Sequence, residues 1–124
     1  MQTLSPEVVY KMLVAAALRR STITLAQVLS NANDGIHVSA VTAKMRKQVS
    51  DALCACYWMD VRANRLPLSA LFVMMEEPEI PGNRLRSLME THQGRTFESD
   101  AQFLEHWRSV RDAIWESYNA KAGE

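Results

Sequence analysis

The C-terminal stretch Ser99-Asp100-Ala101-Gln102, followed by Phe103, Trp107, Val110, Ile114 and Tyr118, constrains this chain more than any other feature. Serine and glutamine at that spacing fit a capping box, each satisfying a backbone N–H that a helix start leaves unpaired. The large apolar residues then return at spacings of four, three, four and four, which keeps them on one helix face. A long helix with an aromatic stripe must bury it. Two arrangements do so: packing on the core of its own chain, or a seam in which Phe103, Trp107, Ile114, Trp115 and Tyr118 meet a second copy or another protein. Both are open at this level.

The remaining punctuation is helical. Ser5-Pro6-Glu7 supplies an N-cap, a proline at the first helical position and an acid at the positive dipole end, for a helix running to about Arg20. Thr24-Leu25-Ala26-Gln27 is another capping box, with Ile23 and Val28 placed as a hydrophobic staple. This second helix is short, because residues 31–35, NANDG, are turn formers in which Gly35 suits a left-handed conformation. A third helix is expected from Val38 or Ser39, with Val38, Val41, Met45, Val49, Ala52, Leu53 and Cys56 within about a third of the wheel.

Beyond Leu53 the sequence has two readings. The helix continues, and Cys54, Tyr57 and Trp58 face a second buried surface. Alternatively residues 53–61 alternate as a strand, residues 62–65 turn, and 66–74 either return as a strand that Pro67 confines to a sheet edge or form a helix that Pro67 opens and that runs to Glu77. Residues 76–83, EEPEIPGN, read as a solvated linker, after which Asn83 is placed to cap a helix carrying Leu85, Leu88 and Met89 that Gly94 closes. The expected fold is mainly α, with five or six helices, a helix-turn-helix unit and, on the period-two reading, a two-stranded β wing. Residues 1–77 would form the core, and residues 78–124 a C-terminal helical segment that packs on it or dimerises.

A chain of 124 residues with 48% hydrophobic and 23% charged residues can bury a core without disulfides or metals. The net charge is zero, yet residues 1–75 carry eight Lys/Arg against four Asp/Glu, and residues 76–124 six against ten. A basic N-terminal stretch suits an anionic partner; solvated helix faces would give the same imbalance. No 18-residue apolar run is present, so no membrane contact is expected. VVYKMLVAAAL lacks a basic segment before it and is read as a mature helix of a cytoplasmic protein.

The residues offer little for catalysis. His37, His92 and His106 are far apart, and Cys54-Ala-Cys56 is neither a zinc spacing nor matched by a second pair. Glu76, Glu77 and Glu79 fall in the linker, whereas general acid chemistry needs a fixed, partly desolvated carboxylate. No enzyme activity, catalytic residue, metal or cofactor is expected.

The order of TLAQVLSNANDGIHVSAVTAKMRKQ, a short capped helix, a glycine-containing turn and an amphipathic helix, resembles the helix-turn-helix of winged-helix DNA-binding proteins. Ala26 matches the small residue of the first helix, and Val38 and Val41 the apolar anchors of the second. The resemblance spans roughly Pro6 to Met75. It implies that Ser39, Thr42, Lys44, Arg46 and Lys47 contact double-stranded DNA, and that the chain is a small transcriptional regulator acting as a homodimer. The alternative is a non-enzymatic adaptor or inhibitor that binds another protein through the aromatic C-terminal helix or the Tyr57–Trp58 surface. Zero net charge favours the adaptor; the capped helix pair and the charge split favour the regulator. An unbroken third helix through Trp58 would remove the wing and favour the adaptor.

Overall fold

The computed structural model describes residues 5–32, 42–76 and 79–120. They form five α-helices, α1 (Pro6–Leu18), α2 (Leu25–Ala32), α3 (Ala43–Arg62), α4 (Asn83–Gln93) and α5 (Asp100–Ala120), plus a 3-10 helix over Leu68–Leu71. Four two-residue strands join them: β1 (Ile23–Thr24), β2 (Phe72–Val73), β3 (Met75–Glu76) and β4 (Glu79–Ile80). The fold is mainly helical.

The helix starts follow local chemistry. The Ser5 hydroxyl accepts the Val8 N–H, and Pro6 occupies the first helical position of α1. At α2 the Thr24 N–H donates to Gln27 Oε1 (2.8 Å) and the Gln27 N–H to Thr24 Oγ1 (3.3 Å), a reciprocal capping box. The box at α5 is displaced by one residue: the Gln102 N–H donates to Ser99 Oγ, but Gln102 Oε1 accepts from Glu98 rather than from Ser99. Gly82, not Asn83, holds the N-cap position of α4, and Gly94 ends that helix with φ 68°.

Helix α3 corrects two expectations. Thr42 is its N-cap in an extended conformation (φ −87°, ψ 161°), so the helix starts at Ala43 rather than near Val38 or Ser39. Its hydroxyl accepts the Met45 N–H. Residues 33–41, with Gly35, His37, Val38, Ser39 and Val41, lie outside the described residues. At its other end α3 runs unbroken to Arg62, so residues 53–61 are not a wing strand. The burial follows the helix: Val49, Ala52, Leu53, Cys56, Tyr57 and Asp60 are buried within one arc of about 140°, whereas Ala55 and Met59, which a pleated face would bury with Leu53 and Tyr57, are exposed. Residues 66–74 are not a long strand either. Pro67 leads into the 3-10 helix, and only Phe72–Val73 pairs, parallel to β1 with Ile23 opposite Phe72. The linker expected over 76–83 instead closes a small antiparallel hairpin, Met75 opposite Ile80 and Glu76 opposite Glu79.

One core joins the described residues from α1 to α5. Helix α1 buries Val9, Leu13, Ala16 and Ala17, and its alanines admit α3, the 3-10 helix and α5 around it. Trp107 of α5 is fully buried and its indole N–H donates to the Ala70 carbonyl at 2.7 Å. Side chains of α5 also satisfy the end of α1: Asn119 Nδ2 donates to the Ala17 carbonyl and Trp115 Nε1 to the Ser21 carbonyl. The segment after residue 77 therefore shares one core with the segment before it.

A buried carboxylate pins the α3 C-terminus. Asp60 is 0% exposed, and it accepts from the Tyr10 hydroxyl (2.7 Å), Arg65 Nε (3.0 Å) and the Leu68 N–H (2.9 Å). This node holds α1, α3 and the 3-10 helix together, and it raises the Tyr10 hydroxyl well above its usual pKa, first through burial and then through the Asp60 bond.

Candidate functional site

The residues expected to contact DNA do not form one stripe. Thr42, Lys44, Arg46 and Lys47 are all exposed, and Ser39 lies outside the described residues. At about 100° per residue, Lys44 and Lys47 share a side of α3 while Arg46 points nearly opposite Lys44. Lys47 is also paired with Asp51 at 2.8 Å, one turn on. The cationic face is thus two lysines, one of them neutralised.

The expected seam on α5 is largely inside the protomer. Phe103, Trp107 and Ile114 are buried in the chain's own core (4%, 0% and 0% exposed), which corrects their reading as an interface. Trp115 and Tyr118 are half-buried beside them. Arg108 and Asp112, one turn apart on α5, do not pair with each other. Asp112 instead pairs with Arg111, whose guanidinium lies over both Trp107 (5.2 Å) and Trp115 (4.7 Å) and bonds Glu79 Oε1 at 2.8 Å. Glu79 Oε2 accepts from the Thr22 hydroxyl, so this carboxylate of the supposed solvated linker is a structural tie between the hairpin, α5 and the β1 lead-in.

Sequence reasoning missed a groove between α3 and α4, of about 480 Å3. Val49, Ser50 and Leu53 line it from α3, Arg84, Leu85 and Leu88 from α4, and Phe72, Met74, Ile80 and Pro81 from the β2 strand and the hairpin. Its geometry follows from helix register. Tyr57 Oη and His92 Nδ1 meet at 3.2 Å, an offset of 35 residues between the helices. The same offset matches Leu53 with Leu88, Ser50 with Leu85 and Val49 with Arg84, so α3 and α4 run in the same direction. They touch at Tyr57–His92, and one turn earlier Leu53 and Leu88 both line the groove.

Burial marks the floor. Leu53 (8%), Leu85 (7%) and Leu88 (8%) are the most exposed members of the core, and all three line this groove. Phe72 and Ile80 are half-buried, and Met74 is 56% exposed at the rim. Met74 lies against Gly82, where an added Cβ would come within 3.0 Å of Met74 Cγ. An apolar concavity in the usual size range of ligand pockets, walled by adaptable methionine and leucine, is equipped to take an apolar side chain from elsewhere. Some of the sequence signal was present, since LPLSALFVMM and IPG are the apolar strand and hairpin segments, but their convergence on α3 is a tertiary event.

Chemistry-bearing groups are scattered. Cys56 is fully buried, its thiol donates to the Pro6 carbonyl, and burial, followed by Asp60 and Glu7, pushes it up to about 11. Burial pushes the Tyr57 hydroxyl up to about 12. His106 is lowered by burial and then by Arg95. Among the described residues no three His, Cys, Asp or Glu side chains converge as a metal site, and no helix is long and apolar enough to cross a membrane. No protein-family model, curated protein or solved structure matches this chain.

Proposed function

We propose that this chain is a non-enzymatic protein-binding module whose α3–α4 groove receives an apolar segment of a partner protein. The observation that carries this reading is the concentration of residual core exposure, Leu53, Leu85 and Leu88, at one concave place rimmed by Phe72, Met74 and Ile80. Apolar side chains of an amphipathic helix, spaced at i, i+3 or i+4 and i+7, fit such a groove between two helices. The unbroken α3 supports the reading as well, because it removes the wing on which the regulator reading drew.

The DNA-binding regulator is the second reading, and the exposure of Lys44 and Lys47 on the first turns of α3 favours it. Selection of a displayed random-peptide library on the protein decides between them. The module predicts enriched peptides with helical apolar anchors, whose binding is lost in Ser50→Trp, a variant that places an indole in the groove from the α3 surface. Peptides that bind Ser50→Trp as well as the parent would contradict it. So would a library with no enriched peptide beside a random DNA duplex that binds with a steep salt dependence lost in Lys44→Glu/Lys47→Glu.

A further inference from the structure

The groove is apolar along its floor but not at both ends. One end is closed by the Tyr57–His92 contact, with the Trp58 ring edge-on to His92. At the other end each of the two wall helices carries an arginine. Arg84 lines the groove at the first turn of α4. Arg46 lies one turn before Ser50 on the groove-facing side of α3, within about 60° of Val49, Ser50 and Leu53 around the helix. The 35-residue offset that matches Val49 with Arg84 puts both arginines at the same, open end.

Among the described residues these two cations, with Lys11, Arg19, Lys44, Arg62, Arg95 and Arg108, have no carboxylate partner, whereas Arg20, Lys47, Arg65, Arg86 and Arg111 each have one within 4 Å. The start of α4 adds to the same field, since its N-cap Gly82 contributes no side-chain acceptor to the first-turn N–H groups. An apolar trough with a positive mouth complements an apolar ligand with a negative end.

We infer that the occupant of the groove is an amphipathic peptide segment whose acidic residues cluster at one end of its apolar face, the end that lies between Arg46 and Arg84. This inference rests on the proposed groove reading and adds to it the charge and the orientation of the partner. Leucine or isoleucine side chains of the segment lie over Leu53, Leu85 and Leu88, and its carboxylates meet the two guanidinium groups, which pair with carboxylates through a planar fork.

The test uses two fluorescein-labelled synthetic peptides of about 12 residues with the same leucine-anchored helical face. One carries two glutamates in its first turn and the other two lysines. Anisotropy titrations at low salt should give the glutamate peptide an affinity about tenfold higher, falling toward that of the lysine peptide as salt shortens the screening length. The double variant Arg46→Glu/Arg84→Glu, whose side chains are surface-placed and whose thermal melt should match the parent, should reverse the order. Equal binding of the two peptides, unchanged in the double variant, would overturn the charge assignment and leave the groove reading standing. A glutamate preference that survives in Ser50→Trp would place the acidic contact elsewhere and overturn the inference. Binding of neither peptide would overturn both readings.

Discussion

The Tyr57 hydroxyl meets His92 Nδ1 at 3.2 Å, and one helical turn earlier Leu53 and Leu88 of the same two helices both line a groove. This single contact sets the register of α3 against α4, supported by the edge-on packing of Tyr57 and Trp58 on the His92 ring. Tyr57→Phe keeps the buried ring and removes the bond. It should cost about 1 kcal/mol in denaturant unfolding and weaken binding of a groove peptide by loosening the closed end. Unchanged stability and unchanged affinity together would show that ring packing alone sets the register.

Gly82→Ala separates the groove from the fold. The glycine has φ −79°, which any residue adopts, so backbone strain plays no role. The new methyl would meet Met74 Cγ at 3.0 Å, and Met74 is flexible and more than half exposed, so it moves. Stability should change by less than about 1 kcal/mol, the scale of an N-cap substitution. Peptide affinity should change by more than stability does, because the displaced methionine belongs to the rim.

Asp60 predicts the largest loss. Asp60→Ala strands the Tyr10 hydroxyl, the Leu68 N–H and one face of the half-exposed Arg65. Removing one partner of such a buried, hydrogen-bonded ion costs about 3 kcal/mol or more, measured as a shift in urea midpoint at constant slope. Asp60→Asn, which keeps an acceptor oxygen, should lose less.

The buried Cys56 thiol predicts an alkaline limit. Its pKa rises from the ordinary 9.0 to about 11 in the fold, so between those values the unfolded chain releases a proton that the folded one keeps. Stability is therefore full below pH 9, falls as pH rises through that window, and the loss levels off above about 11, with a ceiling on the order of 2–3 kcal/mol. Tyr57, moved from 10.0 to about 12, extends the decline in the same direction. Urea unfolding from pH 8 to 11 should show this slope in the parent, and a shallower one in Cys56→Ala despite its lower starting stability.

Much of the scaffold was legible in the sequence because helix ends are written locally. Ser5, Thr24, Ser99 and Gly94 each act within a few residues of themselves, and the Phe103–Tyr118 spacing fixed the buried face of α5. Periodicity did not decide residues 53–61, since Leu53 and Tyr57 fall inside on either pattern; the burial of Cys56 and Asp60 and the exposure of Ala55 and Met59, which tell helix from strand, come only with the fold. What lay beyond it was long-range: Glu79 finding Arg111 and Thr22, Asp60 finding Tyr10, and the matching of α3 with α4 at an offset of 35 residues. The groove belongs to this last class. Leu53, Leu85 and Leu88 read as ordinary core leucines until the fold shows that one common side of all three is left uncovered among the described residues.

The most direct test of the groove is an amide chemical-shift map of the isotope-labelled protein titrated with the leucine-anchored, glutamate-capped peptide. A peptide seated in the groove predicts saturable shifts concentrated on Val49, Leu53, Phe72, Ile80, Leu85 and Leu88, with Arg46 and Arg84 moving at the open end. Shifts confined to the Lys44–Lys47 side of α3 or to the Trp115–Tyr118 surface of α5, with the groove residues still, would contradict it.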